Sequence, residues 1–397
     1  MSQLYPDPAE PLAPRLEATP VNSTYWVPPP PPPPPTSQPH VGRWLIVAFV
    51  VAALAAGGSG IGVGWGIANA FRSPAVVQSP IAIASPTTVP NNGSLDANAI
   101  AAKVNPAIVD INTVTNSGQA SGTGQILTSD GEVLTNNHVV DGSTSISVVI
   151  AGRSVKYSAH VIGVAPAQDV ALIQIEGVSG LPTVTIASSA TVKVGDPIVA
   201  IGNALGQGGT PTITTGNVTA LDQTIPASEG NGRSEQLVGL IQSDAPISPG
   251  DSGGVIVNSA GQVVGMITAG DVQGFRSQVS TVNYAIPTDT SISYVEKIRS
   301  GQASAEIIYG QVGFMGVSVR DTATGAQVVT VQSGSPAESA GITVGSIITK
   351  VGGTTITSSA SLGTAIRSHK SGDRVSVTWT DQRGSHNTTL TLAGVNP

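Results

Sequence analysis

From about Ser94 to Ser300 the chain is written as short apolar runs, each halted by Gly, Pro, Asn or Asp, and this punctuation constrains the fold most. In "GQILTSDGEVLTNN" two alternating segments flank Asp130-Gly131, the signal of a β-hairpin. "DVALIQI" is apolar on both faces and reads as a buried strand. "DPIVAIGN", "TGNVTALD" and "GQVVGMITAG" follow the same rule, while "TDTSISYVEKIRS" is the one clear helix and closes the unit. Many short strands with hardly any amphipathic helix predict a sandwich or barrel. Composition agrees, since 47 Gly and 29 Pro stand beside only 10% charged residues, so the globular part is expected to be mostly β. A length of 397 residues calls for at least two cores. A smaller second unit, with strands such as "RVSVTWT" and "TTLTLAG" and a helix near "SASLGTAIRSH", is assigned to 304–397.

Residues 1–42 are rich in Pro, Ser and Thr, with unbroken proline from Pro28 to Pro35. Such a run forms an extended, solvated polyproline helix without a core, so a disordered head is expected. It serves either as a stiff spacer or as a ligand for a proline-binding partner. No charge falls between Arg43 and Arg72, and the stretch exceeds the roughly 20 residues that a bilayer-spanning helix needs. Trp44, Trp65 and Phe71 stand where interface aromatics belong. Residues 43–71 therefore read as a transmembrane helix. A cleaved signal peptide competes through Ala68-Asn69-Ala70, but the 42 residues ahead of the span are too long for a usual signal. The flanking charges favour an N-terminus inside, which puts both globular units outside the cytoplasm on the cell membrane. Residues 72–93 then make a flexible tether and 94–303 the larger globular unit.

The formal net charge is −7 and Lys and Arg form no cluster, which argues against nucleic acid as a partner. The chain has no cysteine, which excludes disulfides, thiol nucleophiles and cysteine metal sites. No cofactor and no metal is expected.

"SPGDSGG", residues 248–254, packs poorly as ordinary core and is either a turn or a site. A serine nucleophile needs an exposed hydroxyl at a sharp turn, a base for its proton and backbone N–H groups for the oxyanion that forms. Gly250 can take a positive φ, and Gly253 and Gly254 leave room for a substrate carbonyl. The base must come from five histidines. His40 precedes the apolar span, His369 and His386 belong to the last unit, and His160 sits in a strand; His138, in "LTNNHVV", ends a strand where a side chain can enter a cleft. A carboxylate is then required to orient the imidazole. Asp169 opens "DVALIQI", where an unpartnered carboxylate is costly, whereas Asp130, Asp141 and Asp196 sit beside glycine or proline and read as turns.

The order His138, Asp169, Ser252 resembles that of the chymotrypsin-like enzymes. "GTGQILTSDGEVLTNNHVV", "QDVALIQI", "VGDPIVAIGNALG", "IQSDAPISPGDSGGVIVN" and "NYAIP" resemble motifs of the HtrA (Deg) family of bacterial serine proteases, in the family's order. "GFMGVSV" and "GSPAESAGITVGSIITKVGGTTI" are similar to the carboxylate loop and middle of a PDZ domain. The resemblance implies a chymotrypsin-like double β-barrel followed by a small α+β PDZ domain. It implies a serine endopeptidase acting on unfolded, misfolded or exported polypeptides, with an oxyanion hole at Gly250 and Ser252. Ile247 and Pro246 would line the specificity pocket, giving cleavage after small aliphatic residues. Gly313, Phe314, Met315 and Gly316 would receive peptide C-termini. The segment 224–236, with Arg233, corresponds to a family loop that reports peptide occupancy, although a solvated loop reads equally well. A homotrimer is a further expectation, against which the tether lacks the aromatics members often use. The chain also departs from the family pattern at Asp251, Val255 and Ser346. A membrane-tethered PDZ chaperone with little proteolysis is the alternative.

Overall fold

The structure, a computed structural model, describes residues 81–84, 95–116, 118–203, 209–228, 234–270, 282–302 and 304–397. The head, the span read at 43–71 and most of the tether lie outside these residues; among the described residues no helix is long and apolar enough to cross a membrane.

A two-residue strand from the tether, β1 (Ile83–Ala84), and helix α1 (Ala97–Val104) precede the first barrel. The sequence reading found no helix here. Asp96 creates one by accepting a hydrogen bond from Ala99 N at 3.0 Å, and Ile100, Ala101 and Val104 bury one face. The strands that follow are β2 (Ile108–Thr115), β3 (Gly118–Ile126), β4 (Glu132–Thr135), β5 (Ser143–Ile150), β6 (Lys156–Ala165) and β7 (Val170–Ile175). They close a barrel in the order β2-β3-β4-β7-β6-β5. Val109, Ile111, Ile126, Val133 and Ile173 are fully buried inside it. A one-turn helix, α2 (Asn137–Val140), leaves the end of β4.

The second set comprises β8 (Ile186–Ala187), β9 (Pro197–Gly202), β10 (Thr212–Ser228), β11 (Ser234–Ser243), β12 (Val255–Val257), β13 (Val263–Gly270) and β14 (Asn283–Pro287). Its order is β1-β8-β13-β12-β9-β10-β11-β14, and because β14 also pairs with β13 the strands β9 to β14 close a second ring. Part of the expected tether is thus strand, with Ile83 opposite Ile186 in parallel register. The segment 224–236 is corrected too: most of it is the far end of the β10–β11 hairpin. Ile225 pairs with Leu237 and both are buried, so apolar alternation carries the strands onward. Helix α3 (Thr288–Arg299) closes this part, burying Ile292, Val295 and Ile298. At its end Arg299 forms an ion pair with Glu132, both side chains less than a tenth exposed.

Beyond α3 the chain is strapped back onto the first barrel. Val164 and Ile308 exchange backbone hydrogen bonds of 3.0 and 2.9 Å, and Ile307 is buried. Residues that the sequence boundary assigns to the last unit therefore lie on the first barrel. Next come β15 (Val312–Phe314), β16 (Val317–Thr322), β17 (Gly325–Val331), helix α4 (Pro336–Ser339), β18 (Ile347–Val351), β19 (Thr354–Thr355), helix α5 (Ser359–Arg367), β20 (Arg374–Asp381), β21 (Gly384–Thr391) and β22 (Ala393–Val395). The sheet runs β16-β17-β18-β20-β21 with β19 on β18, and β15 pairs separately with β22. Ser358 starts α5 with a reciprocal cap through Ser361, and Leu362, Ala365 and Ile366 face a core of their own with Val328, Ile348 and Trp379. Ser346, the departure noted in sequence, is buried and its hydroxyl accepts from Thr343 N at 3.2 Å, so it ties its turn without a carboxylate.

Candidate active site

β4 and β7 are neighbours in the first barrel, with Thr135 opposite Ala171, so the residues after one strand meet those before the other. This brings α2, carrying His138, against Asp169. The Asp169 backbone follows a 3₁₀ turn over Pro166–Gln168 and is left-handed (φ 54°, ψ 43°), a conformation that Asp tolerates better than most residues. Its Oδ1 accepts from His138 N at 3.0 Å, and its two oxygens lie 3.0 and 2.9 Å from His138 Nδ1. An ionised carboxylate only accepts, so Nδ1 carries the proton and Nε2 is left as the basic nitrogen. Thr268 Oγ1 on β13 donates to Asp169 Oδ2 at 2.5 Å, and Asn136 Nδ2 donates to Asp169 O at 3.2 Å. The carboxylate is buried, which these donors make tolerable.

Ser252 lies in a turn clamped from both barrels. Asp251 N donates to Ser248 O at 3.1 Å, Gly254 N to Asp251 O at 2.8 Å, and Gly253 N to Ile267 O at 2.8 Å. From the first barrel, Thr123 N donates to Ser252 O at 2.8 Å and Thr123 Oγ1 to Gly250 O at 2.7 Å. Gly250 and Gly253 have φ of 99° and 84°, and a Cβ on Gly253 would stand 2.0 Å from Thr123 O, so only glycine fits there. Among the described residues, neither Gly250 N nor Ser252 N donates to a protein acceptor. The Ser252 hydroxyl points to Thr268 O at 3.4 Å. Thr268 therefore touches Asp169 through its side chain and Ser252 through its carbonyl.

Two carboxylates, one in this turn and one opposite Thr123, are buried. Asp251 Oδ2 accepts from Ser248 N at 2.7 Å, and its Oδ1 has no protein partner among the described residues. Burial pushes its carboxyl up to about 6, the bond from Ser248 opposing the rise. Asp110, opposite Thr123 in the β2–β3 register, is likewise pushed up to about 6 by burial, opposed by the Gly209 backbone.

The other expected site residues fall as follows. Ile247 is buried among Ile198, Ala200, Ile256 and Ile267, and Pro246 beside it is half-buried. Gly313 and Phe314 lie on β15, with Gly313 N donating to His369 O at 2.8 Å; Met315 is buried in the C-terminal core, and Gly316 has φ 86°. These four sit in a different part of the molecule from His138 and Ser252. Arg233 lies outside the described residues. The remaining described histidines pair elsewhere: His160 with Glu176, His369 with Asp373, and His386 with Asp381. Thr268, Thr123 and Asn136 were not found from sequence. A threonine in a strand signals β-propensity and nothing more, and these hydroxyls and amides acquire a task only from partners distant in the chain.

Residues 122–266 match the family model of the trypsin-like peptidase domain, and residues 313–393 that of the PDZ domain. The chain is 33% identical over 376 residues to the serine protease PepD of Mycobacterium tuberculosis, covering 90% of this chain and 79% of that one. It is 34% identical over 264 residues to a serine protease Do-like HtrA of Lactococcus lactis, covering 63% of this chain and 64% of the relative. Among solved structures, the serine endoprotease from Yersinia pestis is 26% identical with a TM-score of 0.44, covering 76% of this chain and 99% of that one.

Proposed function

The chain belongs to the HtrA family of serine proteases, a serine endopeptidase with a trypsin-like domain and a PDZ domain, and on that premise we propose that His138, Asp169 and Ser252 are its catalytic triad. The observation that carries this reading is the convergence of Asp169 on both the imidazole and Thr268, whose carbonyl receives the Ser252 hydroxyl. In the reaction the Ser252 hydroxyl turns from Thr268 to His138 Nε2, which takes its proton as Oγ attacks the peptide carbonyl. The two undonated N–H groups at Gly250 and Ser252 receive the oxyanion. The imidazolium, held against Asp169, then protonates the departing amine, and water activated by the same nitrogen hydrolyses the acyl-enzyme.

Supporting the specificity reading, Ile247 and Pro246 offer no charge to a substrate side chain, which suits cleavage after small aliphatic residues such as Val or Ala. The C-terminal unit, through Gly313 to Gly316 and the free edge of β16, would take extended peptide ends by strand addition. Misfolded or exported polypeptides are the proposed substrates. Anchorage by residues 43–71, an extracytoplasmic catalytic unit, peptide sensing by the segment around Arg233 and a homotrimer complete the proposal. The deciding experiment is fluorophosphonate labelling of the full chain beside Ser252→Ala, followed by mapping of cuts in an unfolded protein. Labelling of the native chain alone, with cuts after Val or Ala, is expected; an unlabelled native chain sinks the triad, and cuts after Arg or Lys sink the pocket.

A further inference from the structure

The segment Asp141-Gly142-Ser143 begins three residues after His138 and is held by the C-terminal unit through two separate routes. The first is α5. Its last residue, Arg367, places NH1 3.0 Å from Asp141 Oδ1 and NH2 3.3 Å from Asp141 Oδ2. Both side chains are less than a quarter exposed, and the fork geometry makes this stronger than an ordinary surface pair. Asp141 is the C-cap of α2, its N–H donating to Asn137 O at 2.9 Å. The second route is β22. Asn396, just past it, accepts from Gly142 N at 2.9 Å, donates its own N–H to Ser143 O at 2.9 Å, and donates Nδ2 to Ser143 Oγ at 2.9 Å. Ser143 Oγ in turn donates to Val140 O at 2.7 Å, inside the helix that carries His138.

Both routes begin at the walls of the peptide groove. β16 is the outer strand of its sheet, and Asp321 on it accepts from Ser359 N and Oγ at the start of α5, at 2.6 and 2.5 Å. A peptide added to β16 therefore lies against α5. β15, which leads into Met315 and Gly316, pairs Phe314 with Ala393 and Val312 with Val395 of β22. The helix and β15 also touch each other, since a Cβ on Gly313 would meet Ile366 O at 2.8 Å. Either wall is thus joined through short hydrogen-bonded elements to a three-residue segment that finishes the histidine helix.

We propose that Asp141 is a positioning residue for His138, set by Arg367, and that this pair couples occupancy of the peptide groove to the imidazole. The proposal rests on the triad and on peptide binding by the PDZ unit, and it locates a route through α2. With the clamp closed, His138 holds both its bonds to Asp169, so the docked state is the one in which the imidazole is oriented. A peptide that orders α5 and β15 favours the docked arrangement over the undocked one, which strengthens the clamp and raises the share of molecules with an oriented imidazole.

The test is the rate of fluorophosphonate labelling of Ser252 in the full chain, together with kcat and KM on a short blocked peptide. Each is measured with and without a saturating peptide ending in a free apolar residue. Arg367→Ala is expected to lower labelling and kcat about tenfold, within the usual range of coupling between sites, with KM nearly unchanged and no response to the added peptide. The charge swap Arg367→Asp with Asp141→Arg is expected to restore rate and response, and its thermal unfolding should match that of the native chain. Native-like labelling of Arg367→Ala overturns the coupling, as does a swap that folds normally without recovering. An unlabelled native chain instead overturns the triad, so the two failures are distinct.

Discussion

At the scale of single residues, Asp251 carries the clearest consequence. It stands next to Ser252, buried, with one oxygen holding the turn and the other without a protein partner among the described residues. Its carboxyl is pushed up to about 6, against about 3.9 in an unfolded chain. The folded state therefore binds the proton more tightly, and this stabilisation is complete below about pH 4 and lost as pH rises through about 6. Asp251→Asn keeps an acceptor for Ser248 N and removes the buried charge. The variant is expected to match the native chain below about pH 4 and to exceed it by on the order of 2–3 kcal/mol above about pH 7. Urea unfolding across that range is the measurement, and equal stability of the two proteins at pH 7 would refute the account. Asp110 shares the direction of shift, so the native chain itself should lose stability over the same interval.

At the scale of elements, α3 is fastened to the first barrel by one buried ion pair and an apolar face. Glu132 opens the second strand of the hairpin that was legible as Asp130-Gly131, and Arg299 ends the helix that was legible as "TDTSISYVEKIRS". Nothing in either stretch announces that the two meet across 167 residues. Removing one partner of a buried pair leaves the other charge desolvated, so Glu132→Ala is expected to cost about 3–5 kcal/mol. A shift in the urea midpoint with an unchanged slope would establish this; a loss under about 1 kcal/mol would show that Glu296, on the other side of the guanidinium, suffices. The hairpin of β10 and β11 teaches a related lesson. The family resemblance implied a loop at "TIPASEGNGRSEQ", yet Ile225 and Leu237 have core to enter, and their burial carries the strands on.

At the scale of the whole molecule, the barrels and the C-terminal unit have separate cores, joined by the Ile308 strap and the Asp141 clamp. Thermal unfolding is expected to show two transitions in calorimetry. Trp379 is buried in the second core and stacks on His386 with ring centroids 5.2 Å apart. Trp379→Ala should lower one transition by the equivalent of about 3–5 kcal/mol and leave the other in place. A single transition moving as a block would mean that the two cores fold as one.

The strand-rich architecture, the serine turn and the histidine candidate were all readable in the chain. Apolar alternation, positive-φ glycine and the reactivity of a side chain are properties of a few consecutive residues. Other decisions needed the tertiary structure. Asp169 meets His138 because β4 pairs with β7, and Thr268 joins them from 99 residues away. Asp141, which looked like a turn residue beside glycine, meets Arg367 across 226. Local sequence sets which groups are present and how the backbone bends near them. Which of them meet is settled by barrel closure and the docking of separate cores, through contacts whose partners no short window of the chain contains.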